Sequence, residues 1–342
     1  MSQYVGLDVS QKETSVCVVD AKGRKLWQGR CPSTPEAIAL TLHDRAPAAK
    51  RVGMETGPLA VWLWHSLRAA GIPLVCLHAR QAAAALALQT NKTDENDALG
   101  LAQLVRSGWY RPVQVKSLEC HGLRAMLTAR AKLVGVRTGL TNTIRGLCKT
   151  FGVVLGPGRN SSFTNQVRAA LAEQPILTAC VEPLLLAWES VRVQMAKLET
   201  ELGRHARHDP VCRRLASVPG VGVLTAIAFV TAIDDPSRFR RATDVGAYLG
   251  LTPRRYQSGE VDRPGRISKR GDRLTRSLLY EAANVLLTRW RATAPLKLWA
   301  DELRARVGWK KARVALARKL AVLLYRLWMD ETVFDQESVA RA

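Results

Sequence analysis

Four carboxylates near the start of the chain stand where a carboxylate has no evident structural task. Asp8 interrupts the apolar run Val5, Leu7, Val9, whose neighbours imply burial, and Glu55 ends the strand-like stretch "RVGME" just before "TGP". Asp94 and Asp97, three apart in "NKTDENDALGLAQLVRSG", project from one face of a helix, while Glu95 points elsewhere. This pair also has an ordinary explanation: Thr93 or Asn91 can cap that helix, and its dipole favours acids in the first turn. Two acids on adjacent strands and two on a following helix could nevertheless converge. Carboxylates about 4 Å apart repel by roughly 4 kcal/mol per pair at an effective dielectric of about 20, which demands a cation. Hard oxygen donors with no nearby His or Cys select Mg²⁺ or Mn²⁺.

A second constellation lies toward the C-terminus. In "LASVPGVGVLTAIAFVTAI", Gly220 and Gly222 precede an apolar helix and would let backbone N–H groups approach a phosphate, as in helix-hairpin-helix DNA binders; a plain turn between core helices is the other reading. Further on, Arg254, Arg255, Arg263, Arg266, Lys269, Arg270, Arg273 and Arg276 surround one small polar site, "QSGE". A Ser-Gly pair in a loop is ordinarily a turn. Flanked by guanidinium groups, however, Ser258 could attack a phosphodiester whose developing charge those groups stabilise, once a base or metal activates its hydroxyl.

The elements that must position these residues follow from periodicity. "YVGLDVS", "TSVCVVD" and "RKLWQGR" read as three antiparallel strands, with "DAKG" as a hairpin turn. A helix over Pro35 to Arg45, the strand "RVGME", a helix over Pro58 to Ala70 ended by Gly71, the strand "IPLVCLH" and a helix over Arg80 to Leu88 come next. A meander feeding βαβ units gives a mixed sheet with helices on its faces. Residues 116–149 and 178–206 carry long helical patterns, with Leu185, Trp188, Val191, Met195, Leu198 and Leu202 forming one stripe, and "FGVVLGPGRNSS" reverses the chain between them. The expected organisation is an α/β domain over 1–115, a helical coiled-coil spacer over 116–210, and a mainly helical domain over 211–342.

Composition narrows the function. The 342 residues are 47% hydrophobic, enough for two cores, and 51 Lys+Arg against 29 Asp+Glu leave a formal charge of +22. Residues 1–100 hold 11 basic and 9 acidic side chains, residues 251–328 hold 19 and 6, so the polyanion footprint is mainly C-terminal. The basic amphipathic helix Trp309 to Trp328 accordingly reads as a nucleic-acid contact rather than a membrane surface. The first twenty residues lack a basic leader and no run reaches the roughly 18 apolar residues of a membrane span, which gives a cytoplasmic expectation. Seven scattered cysteines without a C-x-x-C or Cys/His cluster read as reduced core thiols, against structural zinc. The six histidines, His205 and His208 included, read as surface groups.

An acid in the first strand, one at the end of the fourth and an acidic pair on a helix resemble the RuvC/RNase H-like nucleases, in which two metals roughly 3.5–4 Å apart clamp the attacking and leaving oxygens of a phosphodiester. "YVGLDVSQKE", "NKTDENDA" and "GLTPRRYQSGE…ISKRGD", in that order, resemble the insertion-sequence transposases of the one-ten family, which includes the Piv-type invertases and the bridge-RNA-guided recombinases. The resemblance covers nearly the whole chain. It implies a RuvC-like DEDD domain, a coiled-coil spacer and a C-terminal transposase domain with a helix-hairpin-helix-like segment. It assigns the metal-binding acids to Asp8, Glu55, Asp94 and Asp97, with Mg²⁺ or Mn²⁺ as cofactor, and the catalytic serine to Ser258. It further implies double-stranded DNA at element ends and target, a structured noncoding guide RNA, a dimer or tetramer, and a bacterial, nucleoid-associated protein. A Holliday-junction resolvase or plain metal-dependent nuclease would leave Ser258 and its basic setting unexplained. An actin-like or sugar-kinase-type ATPase would need a second phosphate loop, and a nonenzymatic DNA binder would not need four acids in a near-neutral domain.

Overall fold

Alternation of buried and outward residues draws the first three strands into a meander. In the computed structural model β1 (Gln3–Val9), β2 (Glu13–Asp20) and β3 (Lys25–Pro32) pair antiparallel. β4 (Ala49–Glu55) and β5 (Leu74–Leu77) extend the sheet in parallel, giving the order β3-β2-β1-β4-β5. The structure describes residues 2–87, 91–156, 161–259, 261–290 and 295–335. The chain divides into two compact units, Met1–Leu118 and Glu119–Ala342.

In the first unit the two faces of the sheet do different work. Val5, Leu7, Val16, Val18, Val52 and Met54 bury one face under α1 (Pro35–Arg45) and α2 (Ala60–Ala69). α1 starts where the sequence requires, with Thr34 accepting from the Ala37 N–H at 3.3 Å and Pro35 in the first turn. Residues one step out of phase face α4 (Asp94–Ser107), which follows α3 (Ala79–Leu86). Here the helix and the strands touch backbone to backbone. A Cβ on Gly6 would sit 2.0 Å from the Ala98 carbonyl oxygen and 2.4 Å from the Ala102 nitrogen; one on Gly53 would sit 2.4 Å from Val105 Cγ1. Gly6 and Gly53 are register partners, so together they form a flat floor for α4. The expected helix end at Leu88 lies outside the described residues.

The second unit is helical except for one hairpin. The C-terminal half of α5 (Leu118–Thr150), α6 (Ser161–Ala170) and the N-terminal half of α7 (Pro175–His208) share a core around Ile144, Phe163, Val167, Leu185 and Trp188. The Trp188 indole N–H donates to the Thr141 hydroxyl at 2.9 Å. The expected stripe on α7 buries Leu185, Trp188, Met195 and Leu202. Beyond it α8 (Pro210–Ala216), α9 (Val223–Ile233), α10 (Asp244–Tyr248), α11 (Arg273–Arg289) and α12 (Pro295–Met329) pack around Phe229, Leu279, Leu286, Leu316, Leu320 and Leu324. α12 breaks at Gly308 (φ 79°), just before the expected amphipathic helix. Two elements were not expected from the sequence: α6, whose first residues read as loop, and the antiparallel pair β6 (Pro253–Ser258) and β7 (Val261–Ile267), whose strands carry no apolar alternation to reveal them.

Because the atoms facing Gly6 are helix backbone, they cannot yield to a methyl group. Gly6→Ala is expected to cost roughly 1–3 kcal/mol in urea denaturation. Gly139→Ala, on an exposed turn of α5 where an added Cβ meets nothing within 4 Å, is expected to be neutral or to gain up to about 1 kcal/mol. Equal stabilities for the two variants would refute the close seating of α4.

Candidate active site

Strand geometry brings Asp8 and Glu55 to the helix-facing side. Each lies two residues after a floor glycine, Asp8 after Gly6 and Glu55 after Gly53, so each emerges on the face that α4 covers. The pairs Gly6 with Gly53 and Leu7 with Met54 continue in register to put the two acids side by side at the C-terminal ends of parallel strands. α4 brings its first turn to the same place. Thr93 caps it, accepting from the Asn96 N–H at 3.2 Å, and Asp94 and Asp97 occupy that turn. Glu95 is turned away as expected: its carboxylate lies 3.8 Å from Arg30, and its carbonyl accepts from the Gln28 amide at 2.8 Å.

Electrostatics reports the convergence directly. Burial pushes the Asp8 carboxyl above its ordinary range, and the charges of Asp97 and then Asp94 push it further. Glu55 is raised by burial, then by Asp8 and Asp97. Its charge also reaches the Cys76 thiol on β5, which burial foremost pushes up to about 11. Lys92, which the sequence reading passed over, is the cation that eases both Asp8 and Glu55. Among the described residues none of the four carboxylates has a hydrogen-bond or ion-pair partner for its side chain. Four oxygen-donor groups, two half-buried and mutually repelling, fit a hard divalent cation by charge and by donor type. They stand further apart than the His205, Asp209 and Cys212 donors, which lie within 4.8 Å of one another.

The basic constellation is organised on the hairpin. Ser258 is the last residue of β6, exposed, opposite Val261 across a turn where Gly259 takes φ 54°; Glu260 of "QSGE" lies outside the described residues. The Arg255 guanidinium is already paired, donating to Asp262 at 2.9 and 2.6 Å. Arg254 donates to the Ser268 carbonyl at 3.2 Å, and Arg276 to the Leu249 carbonyl at 2.9 Å. Arg263, Arg266, Lys269, Arg270 and Arg273 are exposed and have no side-chain partner among the described residues. Of the two turn glycines, Gly220 (φ 85°) has a packing task, since a Cβ there would meet the Ala282 carbonyl of α11 at 2.5 Å. Gly222 is exposed and open, and precedes α9 without a side-chain cap, leaving that helix end free to face an anion. The sequence reading also took His205 for a surface group and saw no Cys/His cluster; the structure half-buries His205 beside Asp209 and Cys212.

Among the described residues no helix is long and apolar enough to cross a membrane. Comparison with known proteins finds similarity over most of the chain. Residues 5–152 match a DEDD-type transposase family model, and residues 212–297 match the model described as Transposase IS116/IS110/IS902 family. The transposase for insertion sequence element IS1111A of Coxiella burnetii is 30% identical over 334 residues, covering 95% of this chain and 89% of that protein. A probable family 20 transposase of Pseudomonas aeruginosa is 31% identical over 71% of this chain and 74% of its own length. The pilin gene-inverting protein of Moraxella bovis is 31% identical over 123 residues, 36% of this chain and 38% of that protein. Transposases of this DEDD kind act on DNA, cutting and rejoining it with a divalent metal. With both models in chain order and a relative aligned across almost its whole length, this chain belongs to the IS116/IS110/IS902 transposase family.

Proposed function

We propose that the chain is a serine-using recombinase of an insertion sequence, in which Asp8, Glu55, Asp94 and Asp97 hold Mg²⁺ or Mn²⁺ and Ser258 is the nucleophile. The observation that carries it is the convergence of four carboxylates, eased only by Lys92, beside a five-stranded mixed sheet. Bound metal supplies charge stabilisation and an acidified hydroxyl at the scissile phosphate. The Ser258 hydroxyl forms a phosphoester as the strand's own P–O bond breaks, so the bond energy is kept and a new strand end can displace the serine without ATP. A plain nuclease would spend that energy on water. Exposure of Ser258 and the unpaired cations of β7 and its flank support this role, since the developing negative charge would meet Arg263, Arg266, Lys269, Arg270 and Arg273.

The remaining assignments belong to the same reading. The RuvC-like domain spans 1–115, the spacer 116–210 and the transposase domain 211–342, with α8, the Gly220 to Gly222 turn and α9 as a helix-hairpin-helix-like phosphate contact. Target choice is delegated to a structured guide RNA, because the candidate contacts are Arg and Lys suited to backbone rather than a code for bases. Ser258 and the four acids belong to different units of the chain, so a composite site is completed on nucleic acid within a dimer or tetramer, in a nucleoid-associated protein.

Four measurements test this. Mg²⁺ added to metal-free protein is expected to raise the melting temperature near neutral pH, where burial and mutual repulsion penalise the ionised carboxylates of Asp8 and Glu55. Their raised pKa values mean that this penalty vanishes as pH falls and the groups protonate, so the Mg²⁺ effect should fade in acid. Asp97→Asn should lose strand cleavage and most of the Mg²⁺ shift while keeping nucleic-acid affinity; unchanged cleavage would refute the metal assignment. On end-labelled DNA with guide RNA and Mg²⁺, denatured wild type should carry covalent label and Ser258→Ala none, whereas label persisting in the alanine variant would move the nucleophile elsewhere. Finally, log affinity should fall with log salt at a slope of roughly −0.9 per neutralised phosphate, and a flat dependence would reject the basic segment as the contact.

A further inference from the structure

The corner between α7 and α8 collects donors of a kind the acid site lacks. His205 lies in the last turn of α7, Asp209 is the one residue between the helices, and Cys212 lies in the first turn of α8. One donor atom from each lies within 4.8 Å of the other two, and His205 Nε2 stands 3.7 Å from Asp209 Oδ2. The two oxygens of Asp209 have divided roles. Oδ1 accepts from the backbone N–H groups of Val211 at 2.7 Å and Cys212 at 3.3 Å, which fixes the carboxylate and leaves Oδ2 on the imidazole side. Oδ1 thus serves the helix cap, while the imidazole and the thiol gather at the same carboxylate, the thiol hydrogen-bonded to it.

The candidate for a fourth donor is Cys120 on α5. Cys212 and Cys120 are both buried, and the charge of Cys120 is felt at Cys212 after burial and the neighbouring Asp209. Leu123 and Leu127, one and two turns beyond Cys120, pack in the same core as Leu202, Ala206, Cys212 and Leu215, so α5 runs past this corner. We propose that His205, Asp209, Cys212 and Cys120 form a tetrahedral site for a zinc-type transition-metal ion that ties α5 to the α7–α8 corner. Tetrahedral zinc, with bonds of about 2.0–2.3 Å to N, O and S, holds its donors about 3.3–3.8 Å apart, so His205, Asp209 and Cys212 need about an ångström of closure, and Cys120, which stands outside that group, must approach further from α5. Soft thiolates with an imidazole select zinc over Mg²⁺, while the oxygen-only acids select the reverse; the two sites therefore do not compete for one ion. On binding, each thiol loses its proton to solvent, and three anionic donors and one neutral imidazole face the dication.

The test uses the full-length protein, stripped of metal, desalted under a non-thiol reductant and titrated with Co²⁺. One equivalent is expected to produce a thiolate-to-cobalt charge-transfer band in the near ultraviolet with tetrahedral visible bands, all lost on adding Zn²⁺. Carboxylates have no such band, so Asp97→Asn should leave it unchanged. His205→Gln, at a half-exposed position that tolerates change, should weaken Co²⁺ binding at least about tenfold with the far-ultraviolet spectrum intact. Cys212→Ser should abolish the band or, if only Cys120 remains bound, halve it, and Cys120→Ser should halve it. A wild-type protein without the band, or full intensity in both cysteine variants, would overturn the proposal.

Discussion

The first unit depends on how closely a helix backbone can approach two strands. With any side chain at Gly6 or Gly53, α4 would be lifted by the thickness of a methyl group or more, since the nearest atoms would lie 2.0–2.4 Å from the new carbon. Strand alternation then fixes what else happens on that face. Residue i+2 must point the same way as residue i, so the glycines that admit the helix deliver Asp8 and Glu55 toward its N-terminal turn. The helix dipole favours the acids that α4 carries there, Asp94 and Asp97, by about 0.3–1 kcal/mol each. Burial of Asp8 and Glu55 and the repulsion they feel from the neighbouring acids act against it. Close packing therefore stores an electrostatic strain that Lys92 alone relieves only in part, and a bound dication is the economical remedy.

The positive charge obeys a different rule. An exposed ion pair is worth about 0–1 kcal/mol, so leaving Arg263, Arg266, Lys269, Arg270 and Arg273 without a partner among the described residues costs the fold almost nothing. A polyanion changes the sum, because every phosphate met releases counterions. Other guanidinium groups are engaged within the protein: Arg255 on Asp262, Arg276 on the carbonyls at the hairpin base, Arg124 on Asp272. The segment thus separates its arginines into those that build the hairpin's surroundings and those that remain available.

Much of this was legible in the sequence wherever one physical rule acted alone. The span Pro35–Arg45 of α1 follows from Thr34, Pro35 and the apolar spacing; the meander and the parallel strands follow from β-branched runs; Glu95 follows from helix phase. Convergence of the four acids was inferable, but its cause was not, because a glycine's need for an opposing backbone is a tertiary fact. β6 and β7 were hidden since every described side chain of β6 is exposed, which erases the alternation by which strands are recognised. The cluster at the α7–α8 corner was missed for a related reason: His205, Asp209 and Cys212 are spaced across a helix end and match no compact metal pattern.

The hairpin that carries Ser258 has an architecture suited to late assembly. Two-stranded ribbons without a buried face are marginal on their own, and β6 has none, Tyr256 included at 68% exposed. Its base, by contrast, is clamped. A Cβ at Gly250 would lie 1.9 Å from the Arg270 carbonyl and one at Gly271 2.1 Å from the Tyr248 carbonyl, both at positive φ, while Arg276 donates to the Arg270 and Leu249 carbonyls. Position is thus held at the root, and order at the tip is left to whatever packs against it. A hydroxyl at its ordinary pKa is a poor nucleophile, so on the recombinase reading a serine carried on such an arm does no damage until nucleic acid supplies the missing face. On the same reading, a serine and acids carried by separate units make cleavage conditional on assembly.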